Sequence, residues 1–334
     1  MQEKLLEVSN LTTKFHTDDG VVTAVSNLSF SVGKGESVCI VGESGCGKSV
    51  TSMSIMRLLK SPPAEVTGDI RFENRDLLAL SGEEMRKIRG NEIAMIFQEP
   101  MTALNPVFTC GHQIAEVLRL HQGLDKQAAK ERAVELMRMV GIPLPEKRVN
   151  DFPHQLSGGM RQRVMISMAL ACRPKLLIAD EPTTALDVTI QAQIMELIRE
   201  LKEQLDMALI LITHDMGVVA EMAERVIVMY AGDAVEEADV KSLFREPLHP
   251  YTRGLLDSIP KLDGDEEELK VIEGTVPGLY DMPKGCRFGP RCAHCTDRCR
   301  SELPPLVDVG DGHKVRCFMV QEQKGAEHAE SERG

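Results

Sequence analysis

The chain has 334 residues, of which 43% are hydrophobic and only 4% aromatic, so a large core must be built mainly from aliphatic side chains. Its 51 acidic residues outnumber the 39 Lys and Arg residues, and the formal net charge of -12 argues against a protein that coats nucleic acid. No run approaches the roughly 18 apolar residues of a membrane span, and the N-terminal MQEKLLEVSN lacks the apolar core of a signal peptide. We therefore expect a cytoplasmic location, where clustered cysteines indicate metal or redox chemistry rather than disulfides.

The predicted elements alternate between strands and helices along most of the chain. In chain order they are strands at 4–9, 21–32 and 37–42, a helix at 49–59, a strand at 93–97, a helix at 126–140, a strand at 176–180, a helix at 188–204 and strands at 208–213 and 226–230. This alternation predicts an α/β fold with a mostly parallel sheet covered by helices. The first two strands predict a separate antiparallel unit.

The composition changes near residue 260. The acidic run KLDGDEEELK is followed by Pro, Gly and Cys residues with little regular periodicity, and the last residues are polar. We therefore predict a large domain over 1–260, a small loop-rich domain over 261–320 and a disordered tail over 321–334. A loop-rich segment of this size buries little apolar core, which favours a metal centre as its cross-link.

The stretch GESGCGKS at 42–49 fits the phosphate-binding pattern G-x-x-x-x-G-K-[ST] between a predicted strand and a predicted helix. Its glycines let the backbone turn N–H groups toward a phosphate, and the start of the helix adds its dipole. Lys48 is suited to neutralise the β- and γ-phosphates, and the Ser49 hydroxyl is suited to ligate Mg²⁺. The predicted ATP contacts here are Gly42, Glu43, Ser44, Gly45, Cys46, Gly47, Lys48, Ser49 and Val50.

Two further apolar strands end in polar residues that suit phosphate chemistry. LLIAD leads into Asp180, the candidate Mg²⁺ ligand, and Glu181, the candidate general base. ALILIT leads into His214, which is placed to contact the γ-phosphate. Because parallel strands end at the same edge of a sheet, these side chains are predicted to act near the phosphate loop.

The segment LSGGMRQR at 156–163, together with the phosphate loop, the acidic pair and the strand-end histidine, resembles the nucleotide-binding subunit of an ATP-binding cassette (ABC) transporter. The resemblance implies a P-loop cassette with an antiparallel β-subdomain and a helical subdomain at about 99–172. It also implies a dimer in which Ser157, Gly158 and Gly159 contact ATP held by the opposite subunit.

Other positions match the same family by their place in the sequence. Gln98 matches the glutamine that senses Mg²⁺ and the γ-phosphate, and Asp187 matches the acidic residue of the D-loop. Phe15 occupies the place of the aromatic residue that stacks on adenine. Met160 departs from the family, which often has Gln there, so the glycine backbone contacts are expected without a side-chain hydrogen bond from that position.

A narrower resemblance covers residues 5 to about 320. EPMTALNPVFTCGHQI (99–114), HPYTRGLLDSIP (249–260) and GTVPGLYDMPKGCRFGPRC (274–292) resemble ATPase subunits of dipeptide and oligopeptide importers, with nickel importers as close relatives. The resemblance implies an ATPase subunit at the cytoplasmic face of the cell membrane. Its partners would be a second homologous ATPase in a heterodimer, two permease subunits and an external peptide-binding protein.

The cargo stays open at this point among dipeptides, longer peptides, nickel chelates and haem-like ligands. The alternative class is a soluble ABC ATPase that acts on nucleic acid or ribosomes. Such proteins usually carry two cassettes or a long coiled coil, and the chain has one cassette and an acidic charge. We therefore expect no nucleic-acid partner.

The cysteine-rich stretch CRFGPRCAHCTDRC at 286–299 is interpreted within the narrower resemblance. The family pattern C-x5-C-x6-C, followed by a distant Cys, matches Cys286, Cys292, Cys299 and Cys317, and it implies a [4Fe–4S] cluster with four thiolate ligands. Zn²⁺ held by four thiolates, or by three thiolates and an imidazole, is the alternative. The nearby residues outside this pattern are Cys295, His294 and His313.

Overall fold

The computed structural model of the protein describes residues 3–99, 103–184, 186–259 and 271–331. The strands are β1 (Lys4–Thr17), β2 (Gly20–Gly33), β3 (Ser37–Val41), β4 (Ala64–Phe72), β5 (Arg75–Asp76), β6 (Ile93–Ile96), β7 (Leu176–Asp180), β8 (Ala208–Thr213), β9 (Arg225–Tyr230), β10 (Asp233–Asp239), β11 (Val307–Asp308) and β12 (Lys314–Val315). The helices are α1 (Lys48–Ile55), α2 (Gly82–Ile88), α3 (Cys110–Gln122), α4 (Lys126–Met139), α5 (Pro145–Arg148), α6 (Gly158–Leu170), α7 (Val188–Leu205), α8 (Met216–Met222), α9 (Val240–Arg245), α10 (Pro250–Asp257), α11 (Asp297–Ser301) and α12 (Phe318–Ser331).

The chain forms two compact units, each assembled from three stretches of sequence. The first unit comprises Met1–Glu7, Ser31–Glu36 and Arg71–Ile212, and the second comprises Val8–Phe30, Ser37–Ile70 and Thr213–Gly334. The division into domains at 260 and 320 stays a prediction.

The first unit contains parallel strands in the order β6-β7-β8. Ile93 pairs with Leu176 across β6 and β7, and Leu176 pairs with Ala208 across β7 and β8. Every residue of β6, β7 and β8 is buried, as expected for strands of a parallel sheet. The C-terminal ends of β7 and β8 lie at one edge, where the main-chain N–H of Glu181 donates to the carbonyl of Ile212 at 2.9 Å.

Three helices of the first unit begin at polar side chains that cap them. Asp125 accepts main-chain N–H groups at the start of α4, Ser157 does so for α6 and Asp187 for α7. Each cap stabilises its helix by about 1 kcal/mol. Helix α4 stops just before Gly141, which has a left-handed φ of 74°. Helix α3 packs against α4 and α6.

The second unit contains a mixed sheet in the order β11-β12-β10-β9-β3. Strands β3 and β9 are parallel, whereas β10 is antiparallel to both β9 and β12, and β11 is antiparallel to β12. The expectation of a mostly parallel sheet is therefore corrected for this unit. The chain reverses after β9 because Ala231 (φ 48°) and Gly232 (φ 89°) form a two-residue hairpin turn with positive φ at both positions.

A buried carboxylate in β10 connects three parts of the second unit. Glu236 is fully buried and accepts the main-chain N–H groups of Leu248 at 2.7 Å and His249 at 2.9 Å. Its Oε1 also lies 2.7 Å from Nε2 of His313. Hydrogen bonds of this kind offset the cost of burying the carboxylate. They hold β10, the start of α10 and the residue before β12 together.

Most of the long predicted elements are present. The predicted strands at 37–42, 93–97, 176–180 and 208–213 correspond to β3, β6, β7 and β8, and the predicted helices at 126–140 and 188–204 correspond to α4 and α7. The helix predicted at 49–59 ends earlier, because Arg57 has a left-handed φ of 50°. The strands not predicted are β4, β5, β10, β11 and β12.

Helix α12 extends into the polar stretch from 321 that the sequence led us to expect as disordered. Its Gln, Glu, Lys and Ala residues are good helix formers, which explains how a polar segment can adopt this conformation. Within the described part of the chain, no helix is both long and apolar enough to cross a bilayer.

Candidate functional site

The phosphate loop lies between β3 and α1 and requires glycine at two crowded positions. A Cβ on Gly42 would lie 2.2 Å from the carbonyl oxygen of Met229, and a Cβ on Gly47 would lie 2.5 Å from that of Ala24. Gly47 also has a left-handed φ of 98°. The loop therefore packs directly on the backbone of β2 and β9.

Lys48 is buried, and its ammonium group lies against the loop. Its side chain donates from Nζ to the carbonyl of Gly42 at 2.7 Å and to the carbonyl of Glu43 at 3.0 Å. The residue is only 5% exposed, so these hydrogen bonds are needed to hold its charge inside the protein. The loop thus contains a fixed positive charge, which is the electrostatic requirement for binding a triphosphate.

The start of α1 differs from the starts of the capped helices. Gly47 occupies its cap position and provides no side-chain acceptor. In contrast, Ser157 accepts from the N–H of Met160 at 3.3 Å, and Asp187 accepts from the N–H of Ile190 at 3.0 Å. A helix start without a side-chain cap suits an anion as its partner. The cradle and its cation therefore fit the predicted ATP phosphates.

Glu43 is held by distant residues through both its main chain and its side chain. Its N–H donates to Oη of Tyr251 at 2.8 Å. Its carboxylate accepts two hydrogen bonds from Arg291, Nη1 to Oε2 at 2.6 Å and Nη2 to Oε1 at 3.1 Å. Burial raises the pKa of the Tyr251 hydroxyl above its ordinary value, so it stays a neutral partner. Sequence reasoning did not single out Tyr251 or Arg291, because nothing local links them to the loop.

In the first unit, Gln98 and Glu181 are brought together beyond the ends of β6 and β7. Nε2 of Gln98 donates to Oε2 of Glu181 at 3.0 Å, and Oγ1 of Thr184 donates to the same oxygen at 3.0 Å. Glu181 has a left-handed φ of 44°, a costly conformation for a non-glycine residue that is often found at functional sites. Two neutral donors therefore orient this carboxylate, as a general base requires.

The LSGG segment leads into α6, whose first residues pack closely on α7. Ser157 is exposed. A Cβ on Gly159 would lie 2.9 Å from Cγ2 of Ile190, so only a glycine fits here without displacing that side chain. Gln162 is buried and donates from Nε2 to the carbonyl of Pro182. This hydrogen bond, which the sequence analysis missed, ties the helix to the residue that follows Glu181.

The remaining predicted nucleotide-site residues differ in exposure. Asp180 is buried at the end of β7, His214 is exposed just after β8, and Phe15 is half-buried in β1. The loop residues Ser44 and Gly45 are exposed, as are Gly158 and Asp187, whereas Cys46 is buried and Ser49 and Val50 are half-buried. Burial raises the pKa of the Cys46 thiol, which disfavours the thiolate. The roles of these residues toward ATP stay predictions.

The tail cysteines lie in the second unit and line one cavity of about 690 Å³: Cys286, Cys292, Cys295, Cys299 and Cys317. The main-chain N–H of Cys286 donates to the carbonyl of Cys299 at 2.7 Å. A Cβ on Gly285 would lie 2.2 Å from that same carbonyl oxygen, so glycine is required for this close approach. Burial raises the pKa of the Cys286 thiol to about 11 and also raises the pKa values of Cys292 and Cys317.

Two protein-family models match the chain. The ABC transporter model covers residues 25–184, and the model described as the C-terminal region of oligopeptide/dipeptide transporters covers residues 235–299. The first match includes the phosphate loop and the acidic pair. The second includes the cysteine-rich stretch as far as Cys299.

Several known proteins are similar to this chain. The oligopeptide transport ATP-binding protein AppD of Bacillus subtilis is 54% identical, covering 97% of this chain and 99% of its own length. The dipeptide transport ATP-binding protein DppD of Haemophilus influenzae is 53% identical over 96% of this chain and 97% of its own length. A dimeric post-hydrolysis structure of the ATP-binding cassette MJ0796, bound to ADP and Pi, has a TM-score of 0.63 and 32% identity, covering 70% of this chain and 98% of that one.

The fold, the phosphate loop and the matched cassette model define the class as an ATP-hydrolysing ABC cassette. Because relatives match at 54% and 53% identity over nearly the whole chain, the protein belongs to the family of oligopeptide and dipeptide transport ATP-binding proteins. The predicted ABC cassette fold and ATPase activity are therefore confirmed at the level of the family.

Proposed function

We propose that the protein powers the import of dipeptides or oligopeptides, by converting ATP binding and hydrolysis into motion of membrane partners. The observation that carries this proposal is the near full-length similarity to proteins named for oligopeptide and dipeptide transport. The match of 235–299 to the C-terminal region of such transporters supports peptides over nickel or haem-like cargo. The buried cation of Lys48 in the phosphate loop supplies the matching chemistry.

Within the nucleotide site, residues 42–50 hold the phosphates. Glu181 acts as the general base, and its hydrogen bonds from Gln98 and Thr184 keep the carboxylate in one orientation. Bound Mg²⁺ neutralises phosphate charge, and the residues assigned to it provide the oxygen donors it prefers: Ser49, Gln98 and Asp180. The two remaining assignments are adenine stacking for Phe15 and γ-phosphate contact for His214.

The assembly we propose contains two ATPase subunits. The similar cassette MJ0796 is dimeric in its solved structure, and Ser157 at the start of α6 is exposed in this chain. We therefore assign Ser157, Gly158, Gly159 and Asp187 to contacts with ATP held by a second, homologous ATPase. Two permease subunits and an external peptide-binding protein complete the importer, with this chain at the cytoplasmic face of the membrane.

For the cysteine-rich segment we propose a [4Fe–4S] cluster ligated by Cys286, Cys292, Cys299 and Cys317. The chemistry of the donor set supports it, because these four thiols line a single cavity. Such a cluster would cross-link a loop-rich segment that has little apolar core of its own. A fifth cysteine of this cavity, Cys295, is not a ligand in the proposed arrangement.

The alternative for the same cysteines is a structural Zn²⁺ site. Among the residues that the structure describes, no three His, Cys, Asp or Glu side chains converge closely enough to hold one metal ion. A structural Zn²⁺ needs four donors within about 2.0–2.3 Å of a single point. The proposal of a cluster therefore rests on the cysteine spacing and on the cavity that the four thiols share.

Peptide uptake by whole cells tests the proposed cargo. Cells that lack this chain would be supplied with the wild-type gene or with Lys48→Ala, and offered labelled dipeptide, labelled pentapeptide or ⁶³Ni²⁺ in parallel. We expect the wild-type gene alone to restore uptake of a peptide. Restored uptake of nickel without either peptide would contradict the peptide assignment and leave the ATPase assignment intact.

A further inference from the structure

The carboxylate of Glu43 in the phosphate loop is neutralised from the far end of the chain. Arg291, 248 residues away, binds it in a bidentate manner, at 2.6 Å and 3.1 Å. The Arg291 side chain is 4% exposed and the Glu43 side chain 33% exposed. An ion pair this well shielded from solvent is screened less by salt than a surface pair, so its removal is expected to have a measurable effect.

Arg291 is itself held in place by its surroundings. Nη2 donates to the carbonyl of Ile272 at 3.0 Å, and Nε donates to the carbonyl of Glu273 at 2.9 Å. The guanidinium also lies 5.7 Å from the ring centroid of Tyr230, within range of a cation–π contact. The planar guanidinium thus uses its donors on both the loop and its own segment, an arrangement that a lysine cannot reproduce.

A second contact braces the same loop residue. The N–H of Glu43 donates to Tyr251, whose ring centroid lies 5.5 Å from that of Phe288. Phe288 lies between Cys286 and Cys292 in the sequence. The cysteine-rich segment therefore supports Glu43 directly through Arg291 and indirectly through Phe288 and Tyr251.

The C-terminal part of the chain also reaches the β1 strand near the proposed adenine-stacking residue. Oη of Tyr280 and Oγ1 of Thr17 are 2.7 Å apart, and Thr17 is two residues beyond Phe15. Residues from 280 onward therefore contact both the phosphate loop and the strand that carries Phe15. The C-terminal residues therefore contact the predicted nucleotide-binding residues or their neighbours at two places, through Arg291 and through Tyr280.

The charge of Glu43 explains why Arg291 matters for nucleotide binding. A carboxylate beside the phosphate cradle repels a polyphosphate unless another charge compensates it. We do not assign this compensation to Lys48. Its ammonium group is hydrogen-bonded to the carbonyls of Gly42 and Glu43 in the loop, where the phosphates are expected. Arg291 supplies the compensating charge to the Glu43 carboxylate through its two hydrogen bonds.

We propose that Arg291 is a positioning residue of the nucleotide site, which couples order in the cysteine-rich segment to nucleotide affinity. The inference rests on the proposed ATP-binding role of residues 42–50. Coupling between two sites is reciprocal, so nucleotide binding must also order the segment around Arg291. The effect of the segment on nucleotide affinity and the effect of nucleotide on the segment both act through Arg291, and neither requires a redox change at the proposed cluster.

A double-mutant cycle tests the charge-compensation part. Affinity for MgADP would be measured by fluorescent-nucleotide titration, since ADP is not hydrolysed, for wild type, Arg291→Gln, Glu43→Gln, the double variant and Arg291→Lys. The matched control is Arg300→Gln, which removes an exposed arginine that directly follows the cysteine-rich segment and pairs with Asp297. The cycle separates compensation of Glu43 from general loss of structure.

We expect Arg291→Gln to weaken MgADP binding by about tenfold and Arg291→Lys to weaken it less. In the Glu43→Gln background, the same replacement of Arg291 should cost much less, because no carboxylate is left to compensate. Equal costs in both backgrounds, or wild-type affinity in Arg291→Gln, would overturn the inference. If Arg291→Gln does not fold, Arg291→Lys is compared in the wild-type and the Glu43→Gln backgrounds. Its effect on MgADP affinity should again be smaller in the Glu43→Gln background.

Hydrogen–deuterium exchange tests the reciprocal effect without any activity measurement. Amide exchange in residues 284–299 should slow on addition of MgADP in the wild type and remain unchanged in Arg291→Gln at saturating nucleotide. Identical slowing in both proteins would overturn the coupling through Arg291. Absence of MgADP binding by the wild type would instead overturn the assignment of the phosphate loop, so the two failures are distinguishable.

Discussion

Gln98 and Glu181 are joined by a 3.0 Å hydrogen bond between their side chains, although 83 residues separate them in the sequence. Each follows a buried parallel strand, and the register of β6 with β7 brings the two strand ends together. The amide of Gln98 and the hydroxyl of Thr184 donate to the same carboxylate oxygen. These two hydrogen bonds therefore orient the carboxylate of Glu181.

Replacing Glu181 by Gln is expected to preserve ATP binding and to lower turnover in the assembled transporter by about 100-fold or more, as for loss of a general base. The amide has nearly the same shape as the carboxylate, so the phosphate loop is left intact. Phosphate release and fluorescent ATP titration measure the two effects separately. Glu196→Gln makes the same change on the solvent side of α7, where Glu196 pairs with Arg199, and should alter neither. Wild-type turnover in Glu181→Gln would remove Glu181 from the role of base.

Replacing Lys48 by Ala is expected to abolish nucleotide binding. The change removes the buried cation and its hydrogen bonds to the carbonyls of Gly42 and Glu43. ATP titration measures the effect, and urea unfolding shows whether the protein is still folded. Lys87→Ala is the matched control, because Lys87 is an exposed residue of α2 that pairs with Glu83. An unchanged ATP affinity in Lys48→Ala would contradict the assignment of the phosphate loop.

Local sequence patterns predicted the buried parallel strands well and missed β4, β5, β10, β11 and β12. Strands β7 and β8 are continuous apolar runs, so their burial follows from composition alone. Strand β10 reads DAVEEAD and looks exposed, yet Glu236 and Glu237 are buried. Two of their side-chain partners, His313 and Lys314, lie 77 residues further along the chain, and no local pattern shows that the fold will bring them to β10.

The candidate site shows the same limit. The phosphate loop could be located from eight consecutive residues, because the glycines and the lysine that define it are close together in the sequence. The residues that hold Glu43 could not, since Tyr251 lies 208 positions away and Arg291 lies 248 positions away. Such contacts depend on the tertiary fold. A single sequence offers only the hint that both residues belong to stretches resembling the importer family.

Replacing Glu236 by Ala is expected to destabilise the protein by at least about 2 kcal/mol. The buried main-chain N–H groups of Leu248 and His249 would lose their acceptor. The midpoint of urea unfolding measures the change. Glu246→Ala removes an exposed carboxylate that pairs with Lys324, and should change the free energy of unfolding by less than about 0.5 kcal/mol. Equal stability of the two variants would contradict the structural role of Glu236.

Anaerobically purified protein is expected to contain about four iron and four sulfide per chain, with visible absorbance from the cluster. The Cys286→Ser variant should lose both, because a hydroxyl is a poorer ligand for iron than a thiolate. Iron and sulfide analysis and the absorption spectrum measure this. Cys172→Ser is the matched control, since Cys172 lies in the first unit and is half-buried there.

The remaining cysteine of the cavity decides which thiols are the ligands. Cys295→Ser should retain iron and sulfide if the ligands are Cys286, Cys292, Cys299 and Cys317, as the spacing pattern implies. Loss of the cluster in Cys295→Ser, with retention in Cys299→Ser, would exchange these two residues in the ligand set. Zinc without visible absorbance in the wild-type protein would contradict the cluster. Four thiols would then have to bind one Zn²⁺ ion. Among the described residues, no three His, Cys, Asp or Glu side chains lie close enough together to do so. The ATPase assignment would stand in every case, because it depends on the phosphate loop and not on the cysteine-rich segment.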